Sequence, residues 1–242
     1  MADGKGYGQF CPVAQAAQVL AERWTPLVVR ELICGSVRFN DLQRGLPRMS
    51  SSLLSRRLKE LEYAGIVERR PAAKGRGSEY HLTDAGRELF PIVEGMGLWA
   101  QRWLRRKLVA EENLDPDLLM WDIRRCVTTE GLPPKVIAKE RRFVVRFEFL
   151  DMPSQRRRYW LVFDQSGADL CLKDPGFEVD LYVAAPRRAL VEVWLGHVSL
   201  DRALSAGRLR LEGSRRDVGG FRKWFALSHF APAGRQPPGR AA

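Results

Sequence analysis

Histidine and cysteine are scarce in this sequence, with three and four copies in 242 residues. The cysteines, Cys11, Cys34, Cys126 and Cys171, stand singly, which excludes a disulfide framework and fits the reduced thiols of a cytoplasmic protein. There is no Cys-x-x-Cys and no His-x-x-x-His pair, so no zinc site is expected and no cofactor is called for. The Gly-x-Ser-x-Gly elbow and the Walker loop are also missing, which argues against an enzyme. No apolar run approaches the roughly 18 residues of a membrane span. Residues 1–10 are Gly-rich and polar, lack a signal-peptide core, and are expected to form a flexible leader. The stretch 232–242 is rich in Pro, Gly and Arg and is expected to be a disordered tail.

What the sequence has in excess is positive charge. Lys plus Arg number 40 against 29 Asp plus Glu, a net charge of +11. Such a balance points to a polyanion, nucleic acid first and an anionic membrane second. The excess is unevenly placed: residues 44–76 hold nine basic and three acidic side chains. A solvated charged face is the plain meaning of a charge run, so the placement of these residues on secondary structure has to decide.

Cys11-Pro12 opens a helix, since Pro is tolerated in a first turn. Thr25-Pro26 restarts a second, with Thr25 as the expected N-cap and Gly35 at its end. Phe39-Asn40 begins a third, short helix that Gly45 and Pro47 close. Ser50 caps a fourth, for which Met49 and Leu54 make a hydrophobic staple. Leu54, Leu58 and Leu61 give that helix a buried stripe, which leaves Ser52, Ser55, Arg56 and Lys59 on the opposite face. Gly65 ends it. Ile66 to Arg70 and Ser78 to Leu82 read as two strands of a hairpin around a basic loop. Thr83-Asp84 then caps a fifth helix, expected to run to about Leu108 with a bend near Phe90 caused by Pro91. This order describes a winged helix-turn-helix, mainly α with a β-hairpin wing. Its reading helix would be 50–64, with the N-terminal residues nearest the bases.

The residues also carry a family resemblance. Cys11-Pro12-Val13, Arg23-Trp24-Thr25, Arg30-Glu31-Leu32, Arg38-Phe39-Asn40-Asp41-Leu42, Leu54 to Leu61, Ala64 to Arg69 and Tyr80 to Gly86 stand in the order seen in HxlR-type transcriptional regulators. The resemblance covers residues 11–104 and implies a dimeric winged-helix regulator whose first and last helices form the dimer interface. It also implies a candidate thiol sensor at Cys11, against the plainer meaning of a small apolar residue at an interface. The domain is expected to span 11–110 and to carry DNA binding and dimerisation, and the fragment 1–110 is expected to fold and bind duplex DNA alone.

A polar hinge at 110–113 leads into a second domain at 113–231. Asp115-Pro116 caps a helix. Apolar segments at 142–150, 158–163, 168–172 and 178–183, separated by turn residues, read as consecutive antiparallel strands. Helix signals follow at 187–196, 199–206 and 218–224. An α+β domain with a curved, mainly antiparallel sheet covered by helices is expected. Trp194 to His197, Leu200 to Gly213 and Lys223-Trp224-Phe225 resemble the end of the sterol-carrier-protein-2-like domain. That resemblance implies a pocket for an apolar molecule, with Phe143, Phe147, Phe149, Trp160, Phe163 and Trp194 as candidate lining.

The expected function is a cytoplasmic DNA-binding transcriptional regulator. It would bind a pseudo-palindromic duplex as a homodimer, modulated by a small hydrophobic ligand or by thiol modification. Candidate DNA contacts are Arg48, Ser51, Ser52, Ser55, Arg56, Arg57 and Lys59 around the reading helix, with Lys74 and Arg76 in the wing. Arg56 suits a guanine edge, whereas Arg57 and Lys59 suit phosphates. One rival is a lipid carrier whose basic half docks on anionic membranes. That reading leaves a helix-turn-helix with a wing unused. The other rival is an enzyme housed in the second domain, for which acid-base clusters are missing.

Overall fold

The computed structural model describes residues 6–73, 75–138, 141–164 and 167–235. Residues 1–5 of the expected leader, Lys74 of the expected wing and residues 236–242 of the expected tail lie outside the described residues. Two compact units make up the chain, Met1–Met96 and Gly97–Ala242.

In the first unit, α1 (Pro12–Leu20) has Pro in its first turn and buries none of its residues. α2 (Thr25–Ile33) buries Val28, Val29 and Leu32. Thr25 is not the cap that its sequence position suggests. Trp24 holds the cap position in the left-handed region at φ 77°, and Thr25 is a buried first-turn residue. That conformation is costly for a non-glycine residue; the indole packs against the apolar core, which holds it in place. α3 (Phe39–Gly45) and α4 (Ser51–Tyr63) follow at their expected positions. Ser50 caps α4 by accepting the amide of Leu53 at 3.3 Å. Met49, Leu54, Leu58 and Leu61 are each at most 2% exposed, so the staple and the leucine stripe form one side of the core.

The wing is an antiparallel hairpin of β1 (Val67–Pro71) and β2 (Ser78–Leu82), in register from Val67↔Leu82 to Pro71↔Ser78. Thr83 caps α5 (Asp84–Arg87) and also donates to the carbonyl of Gly65 at 2.6 Å, so it ties the end of α4 to the start of α5. Gly86 is required there, because a Cβ would lie 2.2 Å from the Ile66 carbonyl oxygen.

The single long helix expected from 84 to 108 is three: α5, α6 (Phe90–Trp103) and α7 (Arg105–Leu108). Pro91 explains the first break. Its ring clashes with the carbonyl four residues back, at Arg87, where α5 stops. Pro91 therefore begins a helix instead of bending one.

In the second unit, Asp115 caps α8 (Pro116–Cys126) by accepting the amides of Asp117 and Leu118. α9 (Pro134–Ile137) precedes a five-stranded sheet built from β3 (Phe143–Phe149), β4 (Arg158–Asp164), β5 (Gly167–Cys171), β6 (Leu181–Ala185) and β7 (Arg210–Gly213). The strand order is β5-β4-β3-β6-β7. The expectation of consecutive antiparallel strands holds for β3-β4-β5. It fails at β6, which crosses to the far side of β3 and pairs with it in parallel. β6 also starts later than expected, at Leu181, and β7 is a strand the sequence reading lacks. α10 (Arg187–Trp194), α11 (Leu200–Ser205), α12 (Arg215–Trp224) and α13 (Ala231–Gly234) complete the unit.

Alternation along the strands sorts the sheet into two faces. Phe143, Val145, Phe147 and Phe149 of β3, Tyr159, Leu161 and Phe163 of β4, and Leu181, Val183 and Ala185 of β6 enter one core cluster with helix residues. Trp224 sits among Phe143, Phe163, Phe221 and Phe225, with ring centroids 4.9–6.4 Å apart and edge-on geometry.

The boundary at 96/97 lies earlier than the expected hinge at 110–113. Gln101, 3% exposed, donates to the carbonyls of Leu195 and Phe230 at 3.2 and 3.4 Å and meets His197 Nε2 at 2.7 Å. Gly97 lies against the Phe230 ring, where a Cβ would be 2.3 Å away. Residues 97–108 are thus built into the second unit. Burial first, and then Arg105, hold the His197 imidazole down to a pKa of about 4.

Candidate nucleic-acid interface

The turn between α3 and α4 is fixed from inside. Gln43 Nε2 donates to the carbonyls of Leu46 at 3.3 Å and Met49 at 2.5 Å. Glu31 is fully buried, accepts from Arg30 at 2.7 Å and from Ser36 Oγ at 3.3 Å, and presses on the end of α3. A Cβ at Gly45 would stand 1.9 Å from its carboxylate, so any larger residue there would have to displace this buried group. Gln43 and Glu31 are supporting residues that sequence reasoning missed. Their only sequence signal is a polar residue where the helical period calls for an apolar one, and several exposed residues share it.

This scaffold presents the start of α4 outward. Arg48, Ser51, Ser52, Arg56 and Lys59 are exposed and Ser55 is half-buried. Ser52, Ser55, Arg56 and Lys59 share the face opposite the leucines. Arg56 Nε stands 3.9 Å from Glu60, both groups being exposed. Such a pair is worth little and is easily exchanged for another anion. Lys59 makes no ion pair among the described residues.

Arg57 departs from the expectation of a phosphate contact. Its side chain is 11% exposed and reaches the other way, to Glu22 at 2.7 Å, to Glu60, and to the carbonyl of Arg23 at 3.2 Å. The helical period puts Arg57 next to Leu58 on the inward side, and its long stem carries the charge to the edge of the core. Arg57 braces α4 against the link between α1 and α2.

The wing contributes Arg69 and Arg76, both exposed, and Arg70, which pairs with Glu68. Gly75 and Gly77, at φ 83° and 110°, supply the left-handed conformations of its tip. The amide of Tyr80 donates to the carbonyl of Val37 at 2.8 Å, and Arg38 pairs with Glu79 at 3.5 Å, so the wing is tied to the start of α3. His81 faces Glu79 at 3.3 Å and is a strand residue of the wing.

Behind the wing lies an open cleft of about 440 Å³, bounded by Leu32, Val37, Tyr80, His81 and Arg87 among others. Among the described residues, no group of three or more His, Cys, Asp or Glu side chains converges to hold a metal ion. Cys11 is half-buried directly before α1, and its carbonyl accepts the amide of Gln15 at 3.1 Å. Cys34 is the exposed C-cap of α2. Of the candidate pocket residues, Phe143, Phe147, Phe149, Phe163 and Trp194 are packed in the core. Trp160 has the opposite strand parity to Tyr159 and Leu161 and lies on the other face of the sheet.

A family model described as HxlR-like helix-turn-helix matches residues 19–108. The HTH-type transcriptional regulator YvaP of Bacillus subtilis (strain 168), itself uncharacterised, is 41% identical over 99 residues, which cover 40% of this chain and 91% of the relative. The uncharacterised HTH-type transcriptional regulator sll1512 of Synechocystis is 36% identical over 102 residues, which cover 41% of this chain and 75% of the relative. Among solved structures, the reduced form of the B. subtilis transcriptional regulator YodB is 32% identical. That match covers 40% of this chain and 98% of that chain, with a TM-score of 0.36.

Proposed function

The chain belongs to the HxlR-like helix-turn-helix family of transcriptional regulators, and we propose that it regulates by binding duplex DNA through α4 and the wing. One observation carries this reading. A helix whose inner face is locked by leucines and whose preceding turn is pinned by Gln43 presents serines, Arg56 and Lys59 outward at its start, next to a basic hairpin. In this reading Ser51, Ser52 and Ser55 are small enough to let the helix approach the groove. Arg56 forks onto a base edge, and Arg48, Lys59, Lys74, Arg69 and Arg76 meet phosphates. Arg57 is left out, because its charge is already used.

The active form is a homodimer on a pseudo-palindromic operator. The support is apolar surface on two helices: Val13 on α1, 75% exposed, and Ile92, Met96, Leu98, Trp99 and Trp103 on α6, 41–56% exposed. Among the described residues no helix is long and apolar enough to cross a membrane, and the reading puts the protein with DNA in the cytoplasm. The second unit takes a small apolar effector, the class that the sterol-carrier resemblance implies. By linkage, the effector and the operator change each other's affinity by the same factor. Cys11 is the alternative trigger, and its effect is abolished in Cys11→Ser.

The test is selection of bound duplexes from a random pool with the full chain. The reading expects a two-fold-related consensus and binding that weakens steeply with salt through counterion release. No enrichment and no shifted duplex at low salt would sink it.

A further inference from the structure

The face of the large sheet turned away from the core carries an unusual concentration of unsatisfied donors. Along β3, Val144, Arg146 and Glu148 occupy this face. The register sets Trp160 of β4 on one side of Arg146 and Tyr182 of β6 on the other. The Arg146 guanidinium lies over the Tyr182 ring, 4.5 Å from its centroid, a cation–π contact. Glu148 draws three guanidinium groups, Arg146 at 3.2 Å, Arg157 at 2.8 Å and Arg158 at 3.8 Å, and leaves a local excess of two positive charges.

Even with that carboxylate present, three buried N–H groups have no acceptor among the described residues: Arg146 Nε, Arg157 Nε and Trp160 Nε1. Trp160 is only 7% exposed. A buried donor without an acceptor is costly, and native structures rarely keep several together without a reason. What this face lacks is acceptors, and a guanidinium edge matches the planar pair of oxygens of a carboxylate. Val144, the next outward position along β3 and about 7 Å from Arg146, lines an open cleft of about 480 Å³ together with Arg141, Arg142, Phe177, Glu178 and Asp180.

We propose that this sheet face binds a small organic acid, with its carboxylate held by Arg146, Arg157 and Trp160 and its body directed along β3 towards Phe177. Glu148 is the internal stand-in that keeps the arginines in place and competes with the ligand for them. The site needs no DNA and goes beyond the regulatory reading, so it stands or falls separately from operator binding.

Calorimetric titration of the full chain with benzoate, and in parallel with inorganic phosphate, tests the assignment. Saturable benzoate binding is expected at one site per chain, at least tenfold weaker in Arg146→Gln and in Arg157→Gln, and unchanged in Arg202→Gln on α11. Glu148→Gln should tighten binding several-fold, because it releases three guanidinium groups to the ligand. A merely structural carboxylate would not give that gain, and the variant keeps the test decisive if the arginine variants fold poorly. Failure of both probes to bind overturns the proposal, as does binding that ignores Arg146 and Glu148 alike. Phosphate binding with the expected variant pattern and no benzoate binding overturns the carboxylate assignment in favour of a phosphate ester.

Discussion

The outward face of α4 and the second unit hold their arginines differently. At the start of α4 and along the wing, Arg48, Arg56, Arg69 and Arg76 stand exposed, and the contact of Arg56 with Glu60 is a loose surface pair. In the second unit the guanidinium groups are gathered onto carboxylates. Arg187 joins Glu111 and Asp151, Arg208 meets Glu192, Arg222 meets Asp201, and three arginines share Glu148. The same residue type is thus left at the surface in one place and held on carboxylates in the other. Net charge alone does not locate an interface. Neighbouring Arg56 and Arg57 make the point within one helix, since one is 64% and the other 11% exposed.

The largest effect that would sharpen this contrast is expected in the core of the second unit. Trp224→Ala, at a fully buried site ringed by aromatics, should cost about 3–5 kcal/mol, read as an early unfolding transition in urea. Arg57→Ala should cost about 1–3 kcal/mol, because it removes the charged donor to the Arg23 carbonyl and the packing of a side chain only 11% exposed, while Glu22 and Glu60 remain solvated. If Arg57→Ala instead left stability intact and weakened only DNA binding, its role as a brace would be wrong.

A pH effect should be smaller, because the His197 ring is only half-buried. Its folded pKa is held down, to about 4 against an ordinary 6.5. The stability tied to the neutral ring is therefore present above about pH 6.5 and is lost as pH falls towards 4. Urea midpoints of the wild type should decline through that window more than those of His197→Gln; parallel curves would contradict the assignment. Ser50→Ala should remove the cap of α4 for about 1 kcal/mol, checked by the same denaturation.

Much of the first unit was legible because its signals are local. Ser50 before a leucine stripe, Gly65 at a helix end, and a glycine-flanked loop between two short strands each act within a few residues. The misses are where distant groups decide. Arg57 reads as a surface cation until Glu22, 35 residues away, is seen beside it. Glu31 reads as a surface acid until Gly45 and Ser36 close around it. β6 looked like the next antiparallel strand because alternation reports which face a residue takes and not which neighbour it pairs with. β7 is a four-residue edge strand with little pattern to show. The break at Leu104 has no sequence signal that we can identify. The outer sheet face was invisible for a similar reason: Trp160 and Arg146 are 14 residues apart and become partners only through register.

The central claim is that the outward face of α4 reads bases. It is tested most directly by the ratio of cognate to random duplex affinity for the full chain and for Arg56→Ala, at matched salt. The exposed position of Arg56 should keep the stability change within about 0.5 kcal/mol. A lost bidentate base contact should reduce the ratio by about 1–3 kcal/mol, roughly 5- to 150-fold. An unchanged ratio, or a uniform loss on cognate and random DNA alike, would contradict the account.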